Sequence, residues 1–197
     1  MPRIPLADLQ ALTTEQQFVV DAIRGAGGRN GRLPAPYHLS LANPEFTDAW
    51  QRMGSLLRYR NSLPLHLNEL AILVTARHWN CAYAWQAHEP VAIAEGLSAD
   101  IVEDIRWGRP PPLASANEKA VFAYASQLHE SRTVSPAAHQ AVLDCFGLRG
   151  IVDLTALLGY YTMVAMALNA HAYLPPDGQV HYLPDLPSDN RRFTSKE

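Results

Sequence analysis

The sequence predicts an all-helical, single-domain bundle, and three observations carry that expectation. Apolar residues recur at helical spacing, as at Phe46, Trp50, Met53 and Leu57, whose intervals place one stripe inward. No stretch alternates at strand period for long, the short segment from Gln179 to Leu183 being the one that could. Proline, glycine and capping residues punctuate the chain where helices would start and stop. At 197 residues the chain is long enough for one domain with a substantial core.

In order, Leu6 to Leu12 reads as a short surface helix. Thr13 to Gln17 carries a capping signal, and the helix through Phe18 and Ile23 ends near Gly25. Gly25 to Pro36 is loop; its glycines lack the Gly-Lys-Ser/Thr ending of a phosphate loop, so that function is rejected. Pro36 to Pro44 is loop or a single turn, and Pro44 opens a helix through Arg58. After a turn at Asn61 to Pro64, two central helices follow from Leu65, with Asn80 expected to cap the second. Ser98 caps a short helix ending at Gly108, and Pro110 to Pro112 forms a stiff connector. Asn117 to His129 is helical with Val121, Tyr124, Ala125 and Leu128 inward. Ser135-Pro136 starts the next helix, which closes at Gly147, and the last runs from Leu148 to His171 with Tyr160, Tyr161, Met163 and Met166 as core. Residues 1–175 form the domain, and 176–197 form a Pro-rich polar tail read as an arm or disordered.

Composition narrows the function classes. Apolar residues make up 48% and charged residues only 18%, so burial of surface between subunits is expected. A net charge of -3 gives no reason to expect nucleic acid or an anionic membrane as partner. No run of consecutive apolar residues reaches the ~18 of a spanning helix, and the N-terminus shows no h-region. Two cysteines, Cys81 and Cys145, make no disulfide framework, so a reduced cytoplasmic setting is expected. Eight histidines include no His-x3-His pair, and no Cys-x2-Cys accompanies them, so no metal site is expected.

The chemistry concentrates between Glu69 and Gly96. This stretch places a carboxylate, a thiol and an imidazole on two consecutive helices. Cys81, Ala84 and His88 are spaced i, i+3 and i+7, hence on one face. A thiol in the first turn sits where the helix dipole favours the thiolate. His88 is the acid/base candidate because imidazole titrates near neutrality; it also fits a hydrogen-bonded histidine at a subunit boundary. Glu69 could orient it or simply complement a helix N-terminus. Cys81 is open to three readings: nucleophile, redox thiol or small apolar filler.

The spacing Glu69-x11-Cys81-x6-His88, followed by a helix running to Gly96, resembles the carboxymuconolactone decarboxylase superfamily, which includes the alkylhydroperoxidase D enzymes. The resemblance covers roughly residues 40 to 110. In the peroxidase branch the pattern is Glu-x11-Cys-x-His-Cys-x3-His, with two redox cysteines. Here the intervening histidine is Tyr83 and the second cysteine is Ala84, so the chain is closer to the decarboxylase-like branch. The resemblance implies an alkylhydroperoxidase D-like helical fold assembled as a homo-oligomer, a trimer or hexamer.

It also implies a cofactor-free decarboxylase of aromatic catabolism acting on a small carboxylated lactone. His88 would donate the proton, Glu69 would orient it, and Cys81 and Tyr83 would line the pocket. Arg77 and His38, with Arg32, are candidates to hold a substrate carboxylate, while an ion-paired surface role also suits the arginines. Trp85 is a further candidate substrate contact that equally fits core packing. Two alternatives stand beside this. One is a hydroperoxide reductase using Cys81 alone with an external reductant, since Ala84 removes the resolving thiol. The other is a non-catalytic oligomeric member.

Overall fold

The structure, a computed structural model, describes residues 2–25, 33–175, 183–184 and 186. Among them are eight helices and no strand. The segment 179–182, Arg32 and most of the C-terminal tail lie outside the described residues.

Helix α1 (Thr14–Gly25) begins at the expected capping signal: Gln16 N–H donates to Thr13 Oγ1 and Thr13 N–H donates to Gln16 Oε1. Leu6 to Leu12 is turn and coil rather than helix, with Leu6 and Leu9 exposed. Helix α2 (Ala35–Ser40) is the short turn expected before Pro44. Helix α3 (Pro44–Tyr59) is capped by Asn43, whose side chain accepts from the Phe46 N–H.

The buried face of α3 differs from the expected stripe. Trp50 and Leu57 are buried, but Phe46 and Met53 are 43% and 42% exposed. Thr47, Gln51 and Gly54 take the inward positions instead. The reason is local: Thr47 donates its hydroxyl to the Ser40 carbonyl, and Gly54 leaves room for the Tyr160 hydroxyl, which an added Cβ would meet at 2.1 Å. Polar and small residues therefore set the roll of this helix, which a count of apolar spacings does not register.

Helix α4 (Leu65–His78) is the central rod, with every residue from Leu67 to Arg77 buried. It packs on α5 (Ala82–Ala94), α7 (Ala116–Ser131) and α8 (Pro136–Ala170). Asn80 does not cap α5. It adopts φ 50° and closes α4, and Cys81 is the N-cap residue. Helix α6 (Ala99–Arg106) starts at Ser98, and α7 starts at a full capping box of Ser115 and Glu118. Within α8, Gly147 at φ 67° breaks the helical path where the sequence places a boundary.

By length and composition α8 is long and apolar enough to cross a membrane, a property that counting consecutive apolar residues overlooks; half of its apolar window is buried in the fold. Tyr160 and Tyr161 are buried as expected, whereas Met166 is 52% exposed. From the tail segment, Leu183 joins the main core and the Pro184 carbonyl accepts from Arg77.

Candidate active site

Glu69 lies in the buried rod α4, where an unpaired carboxylate would carry a desolvation cost of several kcal/mol. Its partner comes from α5. Helical spacing carries His88 inward to the same depth, and His88 Nδ1 donates to Glu69 Oε2 at 2.7 Å. The two residues are 5% and 4% exposed. The carboxylate on Nδ1 fixes the tautomer, so proton exchange with a substrate falls to Nε2. Tyr161 of α8 stands edge-on to the imidazole at 5.0 Å between centroids.

Beside His88 lies a cavity of about 70 Å³. Pro34, Pro36 and Tyr37 form one wall; Tyr83, Ala84, Ala87 and His88 form the α5 wall; Tyr160, Tyr161, Val164 and Leu168 form the α8 wall. Arg58 of α3 completes it. The hydroxyls of Tyr37 and Tyr160 are 3.3 Å apart, and burial pushes both phenols above their ordinary range, so they stay neutral. The Arg58 guanidinium stays charged: the nearby tyrosines and Glu69 favour its cationic form and outweigh desolvation.

The remaining candidates separate. Cys81 is 1% exposed, sits in the apolar core and does not line the cavity. Burial pushes its thiol up to about 11, although the Ala84 and Tyr83 backbone groups lower it. The expected thiolate at the helix start is therefore corrected: desolvation outweighs the helix terminus. Arg77 is fully buried away from the cavity, donating to the carbonyls of Arg106 and Pro184 and to the Asn80 side chain. Trp85 is fully buried, donates to Glu89 Oε2 at 2.9 Å and lies under Arg106, which also pairs with Glu89. His38 sits on α2 next to the cavity residue Tyr37 but does not line it. Burial holds its imidazole below the usual range. Tyr83 does line the cavity, its ring edge-on to Tyr173.

The sequence reading missed Arg58 as a site residue. A signal was present, because half-buried Arg58 continues at helical spacing the line of the buried residues Thr47, Gln51 and Gly54 on α3. Tyr160 and Tyr161, read only as core, also face this cavity.

A larger cleft of about 730 Å³ lies elsewhere, lined by the ends of α4 and α7 and by α8. There His78 and His129 stack at 4.8 Å, and burial together with His78 lowers His129 to about 4. Size alone favours this cleft; the buried acid–base pair and the cation favour the smaller cavity, and chemistry decides. Among the described residues no group of three or more His, Cys, Asp or Glu is arranged to hold a metal ion.

The fold is all-helical among the described residues and of the carboxymuconolactone decarboxylase and alkylhydroperoxidase D-like type. Residues 44–127 match the model of the Carboxymuconolactone decarboxylase family. The match contains Arg58, Glu69, Cys81, Tyr83 and His88. In fold the chain is similar to an uncharacterized peroxidase-related protein from Silicibacter sp. TM1040, with a TM-score of 0.71 and 19% identity. That likeness covers 93% of this chain and 96% of the other. No curated protein matches the chain.

Proposed function

We propose that this protein is a proton-transfer enzyme, a cofactor-free decarboxylase resembling 4-carboxymuconolactone decarboxylase and acting on a small carboxylated lactone. The observation that carries it is the 2.7 Å pair of His88 and Glu69 at the wall of a cavity that also holds Arg58. In the proposed reaction the bond between the ring carbon and the departing carboxylate breaks. Its electron pair moves onto the conjugated lactone carbonyl, so the substrate itself acts as the electron sink. His88 enters the step as the imidazolium, its Nε2 proton taken up from solvent and its charge stabilised by Glu69 at Nδ1. The resulting enolate carbon takes the Nε2 proton, and the neutral imidazole is reprotonated from solvent for the next turnover.

The thiol-peroxidase alternative has weaker support. The sulfur of Cys81 lies in the core with its thiolate disfavoured, and Ala84, at the second cysteine position of the resemblance, offers the cavity a methyl group. Exposed apolar side chains such as Phe46, Met53, Leu148 and Val152 support a homo-oligomer. The test is carbon dioxide release from 4-carboxymuconolactone by the purified protein, beside a known decarboxylase. No release, with the reference enzyme active, removes the decarboxylase assignment.

A further inference from the structure

We propose that Arg58 is the carboxylate anchor of this cavity, so that the ligand end seated beside His88 is a carboxylate on a compact apolar carbon skeleton. The inference rests on reading the cavity as the proton-transfer site, and it names the residue and the ligand chemistry.

The buried and half-buried arginines use their donors differently. Arg77 donates to two backbone carbonyls and the Asn80 amide oxygen. Arg106 pairs with the carboxylates of Glu89 and Glu103. Arg58 differs: among the described residues its guanidinium makes no ion pair or hydrogen bond, its buried Nε included. An Nε without an acceptor is not itself the difference, since the Arg77 guanidinium is held through its other nitrogens. A guanidinium N–H left without an acceptor costs free energy that an incoming anion recovers.

The groups around Arg58 orient it without neutralising it. It lies over the Tyr59 ring at 5.0 Å, a cation–π contact. The hydroxyl of Tyr160 is shared with Tyr37, and Glu69 already accepts from His88. One positive charge in the cavity therefore lacks a counter-charge in contact with it. A planar fork of N–H donors matches a carboxylate in bidentate geometry. Among the other lining residues, Ala84, Ala87, Val164 and Leu168 favour carbon over a fully hydrated oxyanion.

The test uses the full-length protein with acetate and propionate as probes, acetamide as the uncharged isostere and inorganic phosphate as the hydrated oxyanion. Calorimetry reads affinity, and the His88 imidazole resonances read location. Acetate and propionate are expected to bind and shift His88. Acetamide and phosphate are expected to bind at least about 10-fold more weakly, and Arg58→Gln to weaken acetate binding by about 10-fold or more. Arg58→Lys, checked for native circular dichroism, keeps the charge and is expected to retain part of the affinity. Acetate binding that is absent, unchanged in Arg58→Gln, matched by acetamide or exceeded by phosphate overturns the proposal, as does binding without a shift at His88. The two assignments fail separately. Arg58-dependent acetate binding without carbon dioxide release leaves the anchor standing and removes the decarboxylase. Carbon dioxide release by Arg58→Gln with wild-type KM removes the anchor alone.

Discussion

Glu69 and His88, 19 residues apart in sequence and on different helices, share one buried hydrogen bond of 2.7 Å. Each is the other's buried hydrogen-bond partner, and breaking the pair leaves a buried polar group unmatched. Replacing His88 by Gln is expected to reduce carbon dioxide release by about 10²–10⁴-fold. Glu69→Gln retains a hydrogen-bonding side chain, so its activity is expected to fall less, with the pH profile of kcat displaced. Equal losses in both variants, with no displacement of the profile, would contradict the orienting role of Glu69.

Cys81 is expected to be dispensable for the proposed chemistry. Cys81→Ala should keep activity within about 3-fold, since a buried small-for-small exchange perturbs packing modestly. In the native protein, alkylation of Cys81 should lag behind that of the more exposed Cys145, as followed by peptide mass. Its pH signature has a definite sign. The folded thiol titrates near 11 against an ordinary value of 9.0, so the folded state holds the proton longer. The stability contribution is present below pH 9 and is lost as pH rises through about 11. Cys81→Ala should flatten this part of the curve in denaturant titrations.

His129 carries the opposite dependence. Burial and the neighbouring His78 hold its folded value near 4 against an ordinary 6.5. The unfolded chain therefore binds the proton first on acidification. The stability contribution is present above pH 6.5 and is lost as pH falls through about 4. Thermal melts between pH 7 and pH 4.5 should show a steeper fall in Tm for the wild type than for His129→Gln. His129→Gln still offers a polar partner to the Thr75 hydroxyl, which His129 Nε2 meets at 2.9 Å.

Gly54 is expected to be intolerant of a side chain. An alanine Cβ would stand 2.1 Å from the Tyr160 hydroxyl oxygen and 3.1 Å from that of Tyr37. Gly54→Ala must displace both rings from the cavity wall, at a cost of about 1–3 kcal/mol in a denaturant melt. Stability equal to wild type, with the cavity unchanged, would contradict this placement.

Local signals in the sequence carried most of the helix boundaries. The Thr13 capping signal, Pro44, Ser98, Ser135-Pro136 and the break at Gly147 all act within a few residues, where capping and backbone sterics operate. The Ser115–Glu118 capping box, which starts α7 at Ala116, was not among the signals read. The same short range misled at Asn80, because either side of a tight connection can take a capping residue and positive φ decided it. The roll of α3 was not legible from apolar spacing, since Thr47 and Gly54 answer to Ser40 and Tyr160, the latter more than a hundred residues away.

By itself the chain determined an all-helical domain and the spacing that brings Glu69, Cys81 and His88 onto neighbouring helices, because helical period and caps are properties of contiguous residues. Tertiary structure alone decided what those side chains meet. It joined His88 to Glu69, withdrew Cys81 into a core where desolvation suppresses its thiolate, turned Arg77 inward, and brought Arg58 from a third helix to the cavity. Charge and proton affinity depend on solvent exclusion and on partners distant in sequence, and neither exists before the helices pack.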